Sequence, residues 1–292
     1  MNSKTALTKS IIFLEAQRSG KLPTNNRLAW RGDSAIDDGK QANVRLSFSS
    51  IRIKSSCHTV TLSHDILPPQ HVQSLRIIRG DPKQDHQCWV RPEDMQTPRT
   101  VLEINEKTPG TEIAAETSAA MAASAIVFRS IDRVYSRRLL NKAKLLFQLA
   151  KSHKGTYDGE CPFYCSYSGY NDELLWAATW LYMASGKPMY LKYIQEEAIS
   201  ANVNEFSWDL KYAGAQILLS PSVYSDLLAQ HNQKVNCGGK QFDSVAIATF
   251  AKKQMDYPVG PKPKGRSYMV GFGPNAPKQP HHRGASVPTS GK

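Results

Sequence analysis

Aromatic side chains at regular spacing are the first residues in this chain whose types could do chemistry. Tyr164, Tyr167 and Tyr170 recur at every third position in a Ser/Gly-rich loop. Flat rings at a helix entrance suit the C–H faces of a pyranose, which pack on aromatic rings and exclude water. Packing of the helix entrance accounts for the same rings without any ligand, and from these residues alone it is the simpler explanation.

The loop feeds a helix whose ends are legible. Asn171 is a candidate N-cap, Asp172 and Glu173 favour a first turn, and Gly186 can stop the helix. Leu174, Leu175, Ala178, Leu181 and Tyr182 recur at helical spacing, so one face is buried. Other stretches show the same period. Residues 4–18 read as an amphipathic helix with Ala6, Ile11, Phe13 and Leu14 as core positions, ended by Gly20 and Pro23. Pro109-Gly110-Thr111-Glu112 opens a long helix carrying Ala114, Ala115, Ala119, Ala120, Ala122 and Ala123, small residues that permit close helix–helix approach. A second long helix runs from Asp132 to Ser152, and the short connection makes the two antiparallel neighbours. Further helices are expected at Pro188–Ile199, Lys211–Leu219 and Gln241–Tyr257. The expected class is all-α.

Residues 44–78 interrupt this pattern. Val44, Leu46, Phe48, Ile51 and Ile53 alternate as in a weak strand, Pro68-Pro69 breaks the stretch beyond them, and no helical period is visible. So long a stretch without structure is unusual inside a compact domain.

Composition narrows the function classes. A chain of 292 residues with 40% hydrophobic and 21% charged residues suits a globular protein of one or two domains. No apolar run reaches the length of a membrane span, and Ile11-Ile12-Phe13-Leu14 is too short for a signal-peptide core. The net charge of +12 sits at the ends: residues 1–80 hold 12 Lys/Arg against 5 Asp/Glu, residues 251–292 hold 8 against 1. These basic residues are dispersed, so no nucleic-acid partner is expected. The 5 cysteines are odd in number, and Cys161 and Cys165 lack a second pair at zinc-site spacing, so neither metal nor cofactor is expected.

Several motifs together carry a resemblance. Ser168-Gly169-Tyr170-Asn171-Asp172-Glu173-Leu174-Leu175-Trp176 resembles the Ser-Gly-Tyr-x-Asp-Glu-Leu-x-Trp motif of glycoside hydrolase family nine, the endo-β-1,4-glucanases, in its plant branch. Arg18 to Pro23 with Trp30-Arg31-Gly32-Asp33-Ser34 resembles the start of that family's catalytic module, and His86 and Trp89 have its His-x-x-Trp spacing. Phe206-Ser207-Trp208-Asp209 matches its Ser-Trp-Asp, and His281 and Arg283 fall on its His-x-Arg signature. The resemblance implies an (α/α)6 barrel of helix pairs, here incomplete, over a single catalytic-type domain spanning 1–292. Residues 44–79 stand as a segment without family resemblance, and 284–292 as a truncated end.

It also implies a site. His86, Trp89, Tyr164, Tyr167, Trp208 and Arg283 would bind a β-1,4-glucan chain, with His281 beside the scissile bond. Hydrolysis needs two carboxyl groups, which the inverting family places in an Asp-Ala-Gly-Asp turn and well after the His-x-Arg. No Asp-Ala-Gly-Asp occurs here, and no Asp or Glu follows Asp256. Asp37 and Asp38 precede the missing turn and read as a solvated loop. Three readings stay open: an active endoglucanase, a non-catalytic glucan-binding remnant or mis-spliced product, and, remotely, a basic nucleic-acid-binding protein. The family is secreted to the cell wall; without a signal, this chain is expected in the cytosol with Cys161 and Cys165 reduced.

Overall fold

In the computed structural model the described residues are 3–38, 51–55, 58–62, 74–79, 81–98, 100–157, 165–197, 205–216, 218–219, 235–237, 240–242, 249, 253, 265–273 and 275–278. The chain forms two compact units. One comprises Met1–Ala35, Trp89–Met95 and Val223–Lys292; the other comprises Ile36–Cys88 and Gln96–Ser222.

The second unit is built on helices α3 (Thr111–Phe128), α4 (Arg133–Ser152), α5 (Asn171–Ser185) and α6 (Pro188–Glu197). Asp132 starts α4 by accepting the N–H groups of Val134 and Tyr135 at 3.0 and 2.9 Å. Side-chain bonds across the α3–α4 seam give its direction. Ser118 Oγ donates to the Ala143 carbonyl at 2.7 Å, and Ser136 Oγ to the Ala125 carbonyl at 2.6 Å. Thr111 Oγ1 donates to the Ala150 carbonyl at 3.4 Å. One index rises as the other falls, so the pair is antiparallel, as its short connection implies. Ala114, Ala115, Ala119, Ala122 and Ala125 are buried, which lets α3 pack against both α4 and α5. Leu139, Leu146 and Phe147 of α4 and Leu174, Leu175 and Leu181 of α5 join this core. From α6, Tyr190 and Tyr193 meet Phe147 edge-on at 5.7 and 5.3 Å.

Helix α5 begins one residue earlier than its cap pattern implies. Tyr170 occupies the cap position without a side-chain bond and Asn171 is already helical. The stop is as expected: Gly186 is left-handed, and its N–H donates to the Tyr182 carbonyl at 2.7 Å.

Strands β1 (Ile51–Ser55), β2 (His58–Leu62), β3 (Ser74–Arg79) and β4 (Thr100–Asn105) form one sheet in the order β1-β2-β3-β4, every pair antiparallel. The segment expected to lack structure therefore holds three of these strands, β1 where Ile51 and Ile53 alternate. Leu75 and Ile104 pair across β3 and β4, and both lie in the helical core, so burial on one face holds this edge of the sheet. Residues 44–50 lie outside the described ones.

In the first unit, α1 (Ser3–Ala16) forms where its period places it, but packs differently. Ala6 and Ala16 are buried, whereas Ile11, Phe13 and Leu14 are exposed. The period shows that a helix has an apolar face, not that the fold covers it. Polar contacts secure the helix instead. Arg27 pairs with Glu15, and Arg31 donates to the carbonyls of Ala16 and Arg18 and to Glu93 Oε1 at 2.7 Å. The expected helix at Gln241–Tyr257 does not begin at Gln241. That residue lies in β6 (Lys240–Phe242), which pairs antiparallel with β5 (Val235–Cys237).

Two further expectations are corrected. Asp38 is buried, not solvated, while Asp37 is exposed. Cys165 is disulfide-bonded, not reduced, and Cys88 is a free thiol. Among the described residues no helix is long and apolar enough to cross a membrane.

Candidate functional site

Two of the residues singled out as ring platforms come together in the second unit. Tyr167 sits in the loop before α5 and Trp208 in the loop before the helical residues 212–216. Their ring centroids are 6.2 Å apart, at 71°. Both are open to solvent, at 75% and 52% exposure, which core packing does not require. The bland explanation of a packed helix entrance therefore fits Tyr167 poorly.

Local chemistry shapes each loop. Gly169 takes a φ of +89°, a left-handed turn that glycine enters without strain, and Ser166 Oγ donates to its carbonyl. In the second loop the Ser207 N–H donates to the Leu210 carbonyl at 3.0 Å, and the Leu210 N–H donates to Ser207 Oγ at 3.2 Å. Phe206 rests on Trp176 of α5 at 5.6 Å, and Trp176 in turn meets Trp180. A Cβ on Gly214 would stand 2.5 Å from Phe206 and 2.9 Å from Trp176, so this position must stay small.

Beneath the rings lies a set of charged side chains. Asp172 is fully buried and accepts the Lys211 N–H at 2.8 Å and the Ser168 hydroxyl at 3.2 Å. Asp209 Oδ1 accepts the Tyr167 N–H at 2.9 Å, and Ser168 Oγ also lies 2.6 Å from the Asp209 carbonyl, as a donor. The Lys211 ammonium donates to the Trp208 carbonyl, lies 2.9 Å from Glu116 Oε1 of α3, and stands 3.9 Å from Glu173 Oε1. Burial, with the neighbouring Asp172 charge and a hydrogen bond to Asp172, pushes the Glu173 carboxyl up to about 10, against the pull of Lys211. Glu173 is therefore a neutral acid near pH 7. Burial, then the two carboxyls, also raises the Tyr212 phenol.

This charged layer escaped sequence reasoning. Asp172 and Glu173 look like ordinary first-turn acids, and a helix start explains them without burial. The available signal was their place directly before Leu174 and Leu175, on the buried side of α5.

The remaining candidates fall elsewhere in the chain or outside the described residues. Trp89 is 51% exposed and belongs to the first unit, where Glu93 of the 3-10 turn Pro92–Asp94 accepts from Arg31 and the Gly32 N–H. His86 lies on α2 (Pro82–Gln87) of the second unit. Tyr164, His281 and Arg283 lie outside the described residues. Among the described residues no group of His, Cys, Asp or Glu could hold a metal ion.

What the arrangement offers is an exposed aromatic pair on a partly buried, hydrogen-bonded polar support, a surface for the apolar faces of a ring-shaped ligand. Comparison with known proteins agrees in kind. The model of the family described as Glycosyl hydrolase family 9 matches residues 4–63, 70–238 and 222–292. Endoglucanase 16 of Arabidopsis thaliana is 51% identical over 384 aligned positions, covering 99% of this chain and 79% of the relative. That alignment is longer than the chain's 292 residues, so stretches of the relative have no counterpart here. The structure of an endoglucanase from the termite Nasutitermes takasagoensis superposes with a TM-score of 0.75 at 28% identity, over 99% of this chain and 84% of that one. Endoglucanase CelQ from Clostridium thermocellum, complexed with cellotriose, gives 0.66 at 26% identity, over 95% of this chain and 59% of that one. The fold class shared with these neighbours is the all-α (α/α)6 barrel of helix pairs.

Proposed function

The chain belongs to glycosyl hydrolase family 9, and from that premise we propose that it binds a β-1,4-glucan chain across the Tyr167–Trp208 platform. The observation that carries this reading is the exposed ring pair, 6.2 Å apart, with hydrogen bonds joining the two loops that bear them. A neighbour of the same fold is complexed with cellotriose, which supports the same ligand class. His86, Trp89, Tyr164 and Arg283 are proposed to extend the glucan site and His281 to lie beside the scissile bond, on the strength of their motif positions.

The function is endoglucanase-like, and the finer proposal concerns turnover. The 292 residues contain no Asp-Ala-Gly-Asp turn, one of the two places where the family resemblance puts its carboxyls. General acid–base catalysis contributes roughly 10²–10⁴-fold per group. We therefore propose glucan binding without measurable hydrolysis by this polypeptide. For compartment, the disulfide at Cys165 favours an oxidising, extracellular setting over the cytosol.

The test is titration of the purified 292-residue chain with cellotetraose, alongside a carboxymethylcellulose assay. Trp208→Ala should weaken binding by about fivefold or more, since a stacking contact contributes about 1 kcal/mol beyond its buried area. Equal affinity in parent and variant removes the platform. Turnover of carboxymethylcellulose means the carboxyls are supplied from other positions.

A further inference from the structure

We infer that Asp209 is a positioning residue that sets the spacing of the two platform rings, an inference that rests on the glucan-binding reading. Asp209 follows Trp208 directly in the chain, and its carboxylate accepts the backbone N–H of Tyr167, 42 residues away in sequence, at 2.9 Å. One residue thus joins the loop of one ring to the loop of the other. Its backbone carbonyl takes a second bond across the same seam, from Ser168 Oγ at 2.6 Å.

The two bonds differ in what they hold. Ser168 is also tied to Asp172, the buried carboxylate that receives the Lys211 N–H, so the bases of both loops stay fixed to α5 whatever Asp209 carries. Of the two, the carboxylate reaches the residue that bears the exposed ring. Tyr167 is mostly exposed and the bond lies at the surface, so among the described residues this acceptor is what holds its N–H from solvent. Losing it frees the Tyr167 backbone to move away from Trp208, and the 6.2 Å ring contact loosens while the core remains packed. A glucan would then have to order the loop on binding, which lowers affinity without any lost ligand contact.

The role needs an acceptor oxygen, not a charge. Asparagine presents a carbonyl oxygen at the same position, so Asp209→Asn should retain the bond that Asp209→Ala removes. The experiment compares the parent chain with both variants by hydrogen exchange of the peptide covering residues 165–170, thermal melting, and cellotetraose titration. Asp209→Ala is expected to speed exchange in that peptide about tenfold and weaken cellotetraose about five- to tenfold. Asp209→Asn should restore both, and all three chains should melt within a few degrees of each other, about the spread expected for a surface change. Unchanged exchange in Asp209→Ala overturns the clasp. Faster exchange with undiminished affinity overturns its part in binding, and an Asn variant as weak as the Ala variant overturns the acceptor argument. If the parent binds no cellotetraose, the glucan reading falls and the inference that Asp209 serves binding falls with it, while exchange still decides whether the clasp exists.

Discussion

Replacing Lys211 by methionine tests the charged layer under the platform, because the size of the loss depends on whether Glu173 carries charge. Methionine keeps an apolar stem and removes the ammonium. With Glu173 neutral, the loss is one charge-assisted contact to Glu116 and one bond to the Trp208 carbonyl. Glu116 is 39% exposed, so water recovers part of its solvation, and the cost is about 2 kcal/mol. With Glu173 ionised, an attraction at 3.9 Å is lost as well, worth about 4 kcal/mol at an effective dielectric near 20. The first case lowers the melting temperature by about 4–8 °C for a unit of this size, the second by two to three times that. Urea unfolding at pH 7 of Lys211→Met, Glu173→Gln and the double variant separates them. The expected result is a loss of about 2 kcal/mol that Glu173→Gln does not rescue. A loss above about 5 kcal/mol that Glu173→Gln does rescue would refute the neutral acid, because only a stranded charge is relieved by its removal.

Two other outcomes are expected from the same geometry. Glu173 is held protonated up to about 10 in the folded chain, against a usual value near 4.5. Its contribution is full below the usual glutamate range and is lost as pH rises towards its folded value, so the parent should lose stability between pH 5 and 9 more steeply than Glu173→Gln. Parallel pH–stability curves would contradict this. Gly155→Ala should destabilise the second unit by about 1–3 kcal/mol, because the new Cβ would meet the rigid Pro109 ring at 2.5 Å, where the Gly155 carbonyl accepts the Thr111 N–H and the Gly155 N–H donates to Thr111 Oγ1. An unchanged denaturation midpoint would show that this corner gives way freely.

Most of the helical frame was legible because helices announce themselves locally. The alanine run of α3, the Asp132 cap and the Gly186 stop are each readable within a few residues. Strand β4 was missed because Thr100–Asn105 is short, and its one buried side chain, Ile104, owes its burial to Leu75 and α3, which are distant in sequence. The exposed apolar face of α1 was misjudged because only tertiary structure decides which faces are covered. Within the site, Tyr167 and Trp208 were visible as residue types on loops, and their pairing was not. The groups that pair them, Asp172, Asp209 and Lys211, act through backbone N–H groups across the seam, and no spacing in the sequence encodes that.

The placement of the platform bears on whether binding and hydrolysis can separate in this chain. Every residue of the clasp and of the layer beneath it lies between Glu116 and Lys211, inside one unbroken family match, 70–238, and inside one compact unit. The breaks fall elsewhere. The matches part between residues 63 and 70 and overlap over 222–238, and the second unit ends at Ser222, where the overlap begins. The hydrogen bonds that tie the Tyr167 loop to the Trp208 loop thus all lie within this one match and unit among the described residues. The Asp-Ala-Gly-Asp turn that the family resemblance calls for belongs after Asn43, outside this match. Ring stacking depends on contacts within one unit, whereas proton transfer depends on carboxyls that ring stacking does not need. This chain should keep affinity for cellotetraose whether or not it turns over carboxymethylcellulose, and loss of affinity would show that the platform depends on more than its own unit.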